Sequence, residues 1–187
     1  MKNKAIWIVL AVVVVLGLLF VTKYNSLVNA EENVNNKWAQ VDNQLKRRAD
    51  LIPNLVETVK GYAKQELEAI KLVTDARAKL AGARTPGEAA DANNELSGAL
   101  SRLLVITENY PNLKSDQNFR QLSDELAGTE NRLAVARKDY NDEVTVFNKD
   151  IRRFPGSLIA GILGFEKKEY FEVSEAEREV PKVDFGS

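Results

Sequence analysis

Lys46-Arg47-Arg48-Ala49-Asp50-Leu51-Ile52-Pro53-Asn54-Leu55-Val56 packs three adjacent cations, a carboxylate, a proline and an apolar run into eleven positions, and its reading decides the fold. Upstream of it, Leu27, Val34, Trp38, Val41, Leu45 and Ile52 recur every three or four residues, with Glu31 and Arg48 at the remaining seam positions. That is the period of an amphipathic helix. Between Thr22 and Ile52 there is no glycine or proline to oblige a break. Pro53 has no N–H for the carbonyl of Ala49, and its ring disfavours helical geometry at Ile52. The helix is therefore predicted to kink or end here, with Asp50 placed to cap a new one. Downstream, Leu55, Val56, Val59, Tyr62, Ala63, Leu67, Ile70, Val73 and Leu80 continue a helical stripe toward Gly82, predicting a second helix of roughly 28 residues, about 40 Å long. If the chain reverses at Pro53, four antiparallel helices form a bundle and the last one returns toward the first. If Pro53 only kinks the chain, the first two helices make one rod and that return is lost.

The amino-terminal side of this helix is apolar or glycine at every position from Ala5 to Val21, with Lys2 and Lys4 before the run and Lys23 after it. Roughly 17 residues at about 1.5 Å each give about 26 Å, the short end of a bilayer crossing. The alternative is a cleaved signal peptide at Val28-Asn29-Ala30, but that small-residue site lies too far from the apolar run, so the expectation is an uncleaved signal anchor. The cations before the run place the amino terminus inside and the rest of the chain outside the cytoplasm.

In the second half, Thr85-Pro86-Gly87-Glu88 reads as a helix start, with Thr85 as cap, Pro86 in the first turn and Glu88 reaching back. Ala89, Ala92, Leu96, Ala99, Leu103 and Ile106 then share one face, up to Tyr110-Pro111. Ser115 is placed to cap a final helix carrying Phe119, Leu122, Leu126, Leu133, Ala136, Tyr140, Val144, Phe147, Ile151 and Phe154 over roughly 40 residues, about 60 Å. After it, Ser157 to Phe165 is apolar, bracketed by Arg152, Arg153 and by Lys167, Lys168, and too short to span. Leu158, Ile159, Ile162, Leu163 and Phe165 either cap the core or meet a membrane or another copy. Tyr170 to Val173 could form a short extended edge, and the chain from Glu175 onward is polar and expected to be loose.

The 26 basic and 27 acidic residues are interspersed, leaving a net charge of -1 and no field that points to nucleic acid. No cysteine excludes disulfides, thiolate ligands and a cysteine nucleophile; no histidine removes the commonest metal ligand and the usual general base. The gap between Gly156 and Gly161 matches a phosphate loop, but Ile162 and Leu163 stand where lysine and a hydroxyl are required. Neighbouring acids such as Glu31 and Glu32 diverge on a helix. No catalytic, cofactor or metal residues are assigned, and the chain is read as non-enzymatic. What remains is a candidate partner or register surface at Lys46, Arg47, Arg48, Asp50, Pro53 and Asn54. Its bland counterpart is pairing with acids on a facing helix, such as Asp124 or Glu130. Asn54, Glu57, Asn131, Arg137 and Asn141 are candidates for a polar layer that fixes helix register, and Tyr24, Tyr62, Tyr110, Tyr140 and Trp38 are read as seam residues.

Three groups of residues also carry a resemblance. They are Tyr24 to Val28 with Trp38 to Asp42, Lys46 through Ala63, and, later, Asn109 to Lys114, Glu130-Asn131-Arg132, Arg137 to Asn141, Phe154-Pro155 and Gly164-Phe165. In order and spacing they resemble the LemA family of bacterial membrane proteins over nearly the whole chain. The resemblance implies an amino-terminal membrane helix, a bundle of four-helix type and no assigned enzymatic activity; family members are associated with cell envelopes, one branch with magnetosome membranes. The expected organisation is all-α: a single transmembrane signal anchor at 1–23, a long antiparallel helical bundle at 24–165, and a polar tail at 166–187. The expected role is an envelope scaffold, self-associating or holding a membrane protein partner, with lipid met through the first helix and no nucleic acid. The alternatives are an accessory subunit of a membrane enzyme such as a protease, or membrane remodelling through Leu158 to Phe165.

Overall fold

A computed structural model of the chain describes residues 2–172, and every regular element among them is a helix. They are α1 (Lys2–Tyr62), α2 (Leu67–Gly82), α3 (Pro86–Thr107), α4 (Pro111–Ser115), α5 (Gln117–Asp150) and α6 (Gly156–Leu163). The fold is all-α, as the periodicity predicts.

The chain neither ends nor restarts its helix at Pro53: α1 runs through it for nine further residues. The reason lies in the carbonyl that the proline orphans. Pro53 cannot donate to Ala49, but the Arg77 Nε–H from α2 does, at 2.8 Å. An external donor thus replaces the missing rung, which is how an interior proline is tolerated. Asp50 is consequently an exposed mid-helix residue that caps nothing. Reversal comes at Ala63 to Glu66, where the Ala63 N–H closes onto Val59 O (2.8 Å) and the Glu66 N–H onto Ala63 O (3.1 Å). The second helix is therefore 16 residues, not 28. The stripe does not carry across the turn in phase, so Tyr62 and Leu67, expected in the seam, are exposed.

The chain divides into two compact units, one from Met1–Ala39 and Asp139–Lys168, the other from Gln40–Lys138 and Glu169–Ser187. In the second unit, α1, α2, α3 and α5 enclose Ile52, Leu55, Val59, Val73, Leu96, Leu103 and Leu133, all almost fully buried. Burying a side chain of this kind contributes about 1.5–3 kcal/mol. α3 begins as its sequence predicts: Thr85 Oγ1 accepts from the Glu88 N–H (3.2 Å), and Glu88 Oε2 accepts from the Arg84 N–H (2.7 Å). α5 begins one residue later than expected, because Asp116 and not Ser115 takes the Phe119 N–H (3.0 Å). Asp116 also accepts from Tyr62 Oη (2.9 Å), and Glu66 accepts from Tyr110 Oη (2.8 Å). Phe171 is buried, with the Arg137 guanidinium 4.8 Å from its ring centre.

In the first unit, α1 and α5 run antiparallel, pinned by Lys37 with Asp139 and Lys23 with Asp150, both at 2.9 Å. Leu27, Val34, Val144 and Phe147 fill the interior. Trp38 packs tilted on Tyr140 at 5.3 Å, and Phe165 lies 6.4 Å from Tyr24 and 6.3 Å from Phe147. α5 stops at Asp150, four residues short of Phe154, which the period had placed in the core and which is 80% exposed. The chain then folds α6 back toward Lys23 of α1. Here a glycine is required: any Cβ on Gly156 would collide with the Asp150 carbonyl. α6 closes at Gly164, whose φ of 76° suits a residue without Cβ, with the Gly164 and Phe165 N–H groups donating to Ala160 O. So although α1 continues through Pro53, the carboxyl-terminal part of α5 and α6 lie beside the apolar end of α1 within the first unit.

Between α6 and Glu172 the described chain is held in place. The Asn148 amide donates to Lys168 O (2.9 Å) and accepts the Lys168 N–H (2.8 Å), while Lys168 Nζ meets Glu31 at 2.5 Å. Tyr170, Phe171 and Glu172 form no strand, in contrast to the extended edge expected there; Val173 and the tail beyond it lie outside the described residues.

Candidate functional site

The three cations of the opening stretch separate as helix geometry requires, each pointing about 100° from the last. Lys46 stays on its own helix and meets Asp42 at 2.6 Å. The hydrogen bond Lys46 donates to Asp42, and the charge of Asp42, raise the Lys46 pKa above its ordinary 10.5. Arg47 reaches Glu125 of α5 at 3.0 Å, both in solvent.

Arg48 turns inward and is only 4% exposed. Its Nη1 pairs with Glu130 of α5 at 2.5 Å and donates to Asn93 Oδ1 of α3 at 2.6 Å, and its Nη2 donates to Ser97 Oγ at 3.0 Å. Burial pulls the Arg48 pKa below its ordinary value, with the Glu130 charge opposing it. The group stays cationic at neutral pH, since an arginine starts so far above it. Two buried donors in this cluster, Arg48 Nε and Asn93 Nδ2, have no partner. Leaving a buried donor unpaired costs about 1–3 kcal/mol, so the layer carries a penalty that apolar packing would not. The three partners of Arg48 come from two other helices, Asn93 and Ser97 from α3 and Glu130 from α5.

Of the residues expected to form such a layer, Asn54, Glu57 and Asn131 are exposed and Arg137 sits by Phe171. The layer is built instead from Arg48, Asn93, Ser97 and Glu130. Glu130 is the acid the spacing had offered; Asp124, offered beside it, is exposed. Arg48 already betrays itself in sequence by falling on the α1 seam. Asn93 and Ser97 are four apart and interleaved with Ala89, Ala92, Leu96 and Ala99, a signal that could have been used. Asp50, Pro53 and Asn54 lie on the exposed side of α1. Among the described residues no three acidic, histidine or cysteine side chains gather as a metal site would need.

The second candidate is apolar. Ile6 to Val21 of α1 is exposed throughout and long enough to cross a membrane. Against the end of that stretch, α6 and the turn before it form an open groove of about 650 Å³, walled by Leu16, Leu19 and Phe20 on one side and by Phe154, Pro155, Leu158, Ile159 and Ile162 on the other. Thr22, Lys23 and Ser26 line its more polar end. Of the five residues predicted for membrane or oligomer contact, Ile159 is buried and Phe165 half-buried, so these two cap the core; Leu158, Leu163 and Ile162 are exposed, Ile162 at 71%.

The profile of the LemA family matches residues 37–185. Among similar proteins, Magnetosome protein MamQ 2 of Paramagnetospirillum magneticum is 27% identical over 190 residues, spanning 88% of this chain and 70% of its own. Magnetosome protein MamQ of Magnetospirillum gryphiswaldense is 26% identical over 201 residues, with 91% and 74% covered. Protein LemA of Metamycoplasma hominis is 26% identical over 164 residues, with 86% and 74% covered.

Proposed function

The chain belongs to the LemA family, and from that premise we propose that it is a non-enzymatic, membrane-anchored scaffold that holds helical surface at an envelope membrane, with its amino terminus inside and its helical units outside the cytoplasm. One observation carries this reading. The most chemically dense stretch of the chain is consumed by its own fold, through Arg47 with Glu125 and Arg48 with Glu130, Asn93 and Ser97. The large unsatisfied surface is apolar and continuous with the membrane-crossing stretch. A protein whose polar groups face one another and whose apolar groups face outward is organised to be placed and to assemble, not to turn over a substrate. The magnetosome proteins among its relatives fit a structural role at a membrane.

Single cysteines introduced at Lys46, Leu158 and Ser187 test it, since the chain has none of its own. In intact cells the three should react with an impermeant thiol reagent only from the extracytoplasmic side, and crosslinking from Leu158 should give either a second copy or a membrane neighbour. Labelling from the cytoplasm alone would reverse the proposed orientation. A second reading, an accessory subunit of a membrane enzyme, is favoured by Lys46, Asp50 and Asn54, which recur every four residues along an exposed face of α1. Substituting these three should then abolish co-purification of a partner while helicity persists.

A further inference from the structure

We propose that the groove between α6 and the carboxyl end of the apolar stretch of α1 binds one acyl chain of an anionic phospholipid, whose phosphate is held by Arg152 and Arg153. The proposal rests on the membrane-anchored reading and gives it a ligand.

α6 is apolar on every side, with Ser157 its single polar side chain. Such a helix belongs in a core or in lipid. Half of it has a core: Gly156, Ile159 and Ala160 are buried. The other half has none. Leu158 and Ile162, four residues apart, share one exposed face of α6, and Phe154 in the turn before it is exposed too. What covers that face follows from its neighbour. Leu16, Leu19 and Phe20, on the opposite wall, belong to the stretch that crosses the bilayer, so whatever solvates them also reaches Leu158 and Ile162. From Leu16 to Lys23 the groove rises through seven residues of helix, about 10 Å. That is the depth, about 5–10 Å, at which an interfacial apolar helix sits between headgroups and acyl chains.

The polar end fits a phosphodiester. Arg152 and Arg153, in the turn between α5 and α6, are exposed and form no ion pair among the described residues. Lys23, by contrast, is committed to Asp150, and Lys168 to Glu31. Arg152 and Arg153 immediately precede Phe154 and Pro155, which wall the groove, and the planar fork of a guanidinium suits phosphate.

The test uses the full chain in phosphatidylcholine vesicles containing a minor fraction of phosphatidylglycerol, with an environment-sensitive fluorophore at Ile162→Cys and, separately, at Val13→Cys as the anchor control. The Ile162 label should be blue-shifted, and quenched preferentially by bromines on phosphatidylglycerol over the same bromines on phosphatidylcholine. A near-surface cation contributes roughly a five-fold preference, so the two arginines should give about 25-fold. Arg152→Gln or Arg153→Gln should each lower it about five-fold, and the double variant should abolish it, while helix content and the Val13 signal are unchanged. A water-accessible Ile162 label beside a lipid-quenched Val13 label overturns the groove and leaves the anchor standing. Energy transfer between labels that grows with protein density would make a second copy the occupant and overturn it too. Equal quenching by the two lipids removes the anionic headgroup. A water-accessible Val13 label fails the membrane reading itself, and the groove with it.

Discussion

The interior of the second unit holds a charge where apolar packing is the rule, and the surface of the first unit holds apolar side chains where polar ones are the rule. Arg48 is 4% exposed and Ile162 is 71% exposed. The two exceptions differ in what completes them. A buried guanidinium has lost its water and must find acceptors inside the protein, which Arg48 does with Glu130, Asn93 and Ser97. An exposed leucine or isoleucine needs something from outside. The inward exception is therefore met mostly from within the fold, and the outward one is left for something outside it.

The comparison can be broken or sharpened by substitution, read as unfolding of the detergent-solubilised chain by circular dichroism. A plain core position sets the scale: Phe147→Ala should cost about 3–5 kcal/mol. Arg48→Ala should cost about 3 kcal/mol, at the low end for a buried pair because Glu130 keeps 40% of its side chain in water. Arg48→Met should recover most of that loss. If Arg48→Met proves as damaging as Arg48→Ala, the guanidinium does more than fill and pair, and the closed character of the site is lost. Arg77→Ala should cost about 1.5 kcal/mol by leaving the Ala49 carbonyl unpaired, but much less when combined with Pro53→Ala, which restores the local donor. At the open surface, Ile162→Asp should change folded stability by about 0.5 kcal/mol or less; a loss comparable to Arg48→Ala would show that α6 belongs to the core after all.

The smallest effect lies in pH. The Phe119 N–H, and then the Tyr62 hydroxyl, hold the Asp116 carboxyl below its ordinary 3.8, and the same Asp116 bond raises Tyr62 above its ordinary 10.0. Folding thus favours the charged acid and the neutral phenol. Their contribution is fully present between 3.8 and 10.0, is lost below as pH falls through the depressed Asp116 value, and is lost above as pH rises through the raised Tyr62 value. Asp116→Asn should remove both edges from a stability-pH profile.

What could be read beforehand was local. The start of α3 was legible because Thr85, Pro86 and Glu88 make their contacts within four residues. The seams of α1 and α5 were legible because a period needs no partner. Pro53 stayed open between reversal and a kink because what decides it, Arg77, stands 24 residues further along the sequence, and no local pattern marks a side chain as donor to a distant carbonyl. The buried polar layer was only half visible for the same reason: Arg48 announces itself on a seam, whereas Asn93 and Ser97 look like surface residues until α1 is placed against them. Phe154 was assigned to the core because its spacing continues a stripe that α5 itself has already abandoned at Asp150.

Asn148 sets a limit of another kind, one of chemical ageing. Its side-chain amide is the one fastening described on both the N–H and the carbonyl of Lys168, and it works because a primary amide offers a donor and an acceptor side by side. Spontaneous deamidation would exchange that NH₂ for an oxygen, leave the Lys168 carbonyl facing a carboxylate, and undo the clasp at a cost of a single atom's identity. The burial of Asn148 within a helix of the first unit therefore guards this joint against that loss.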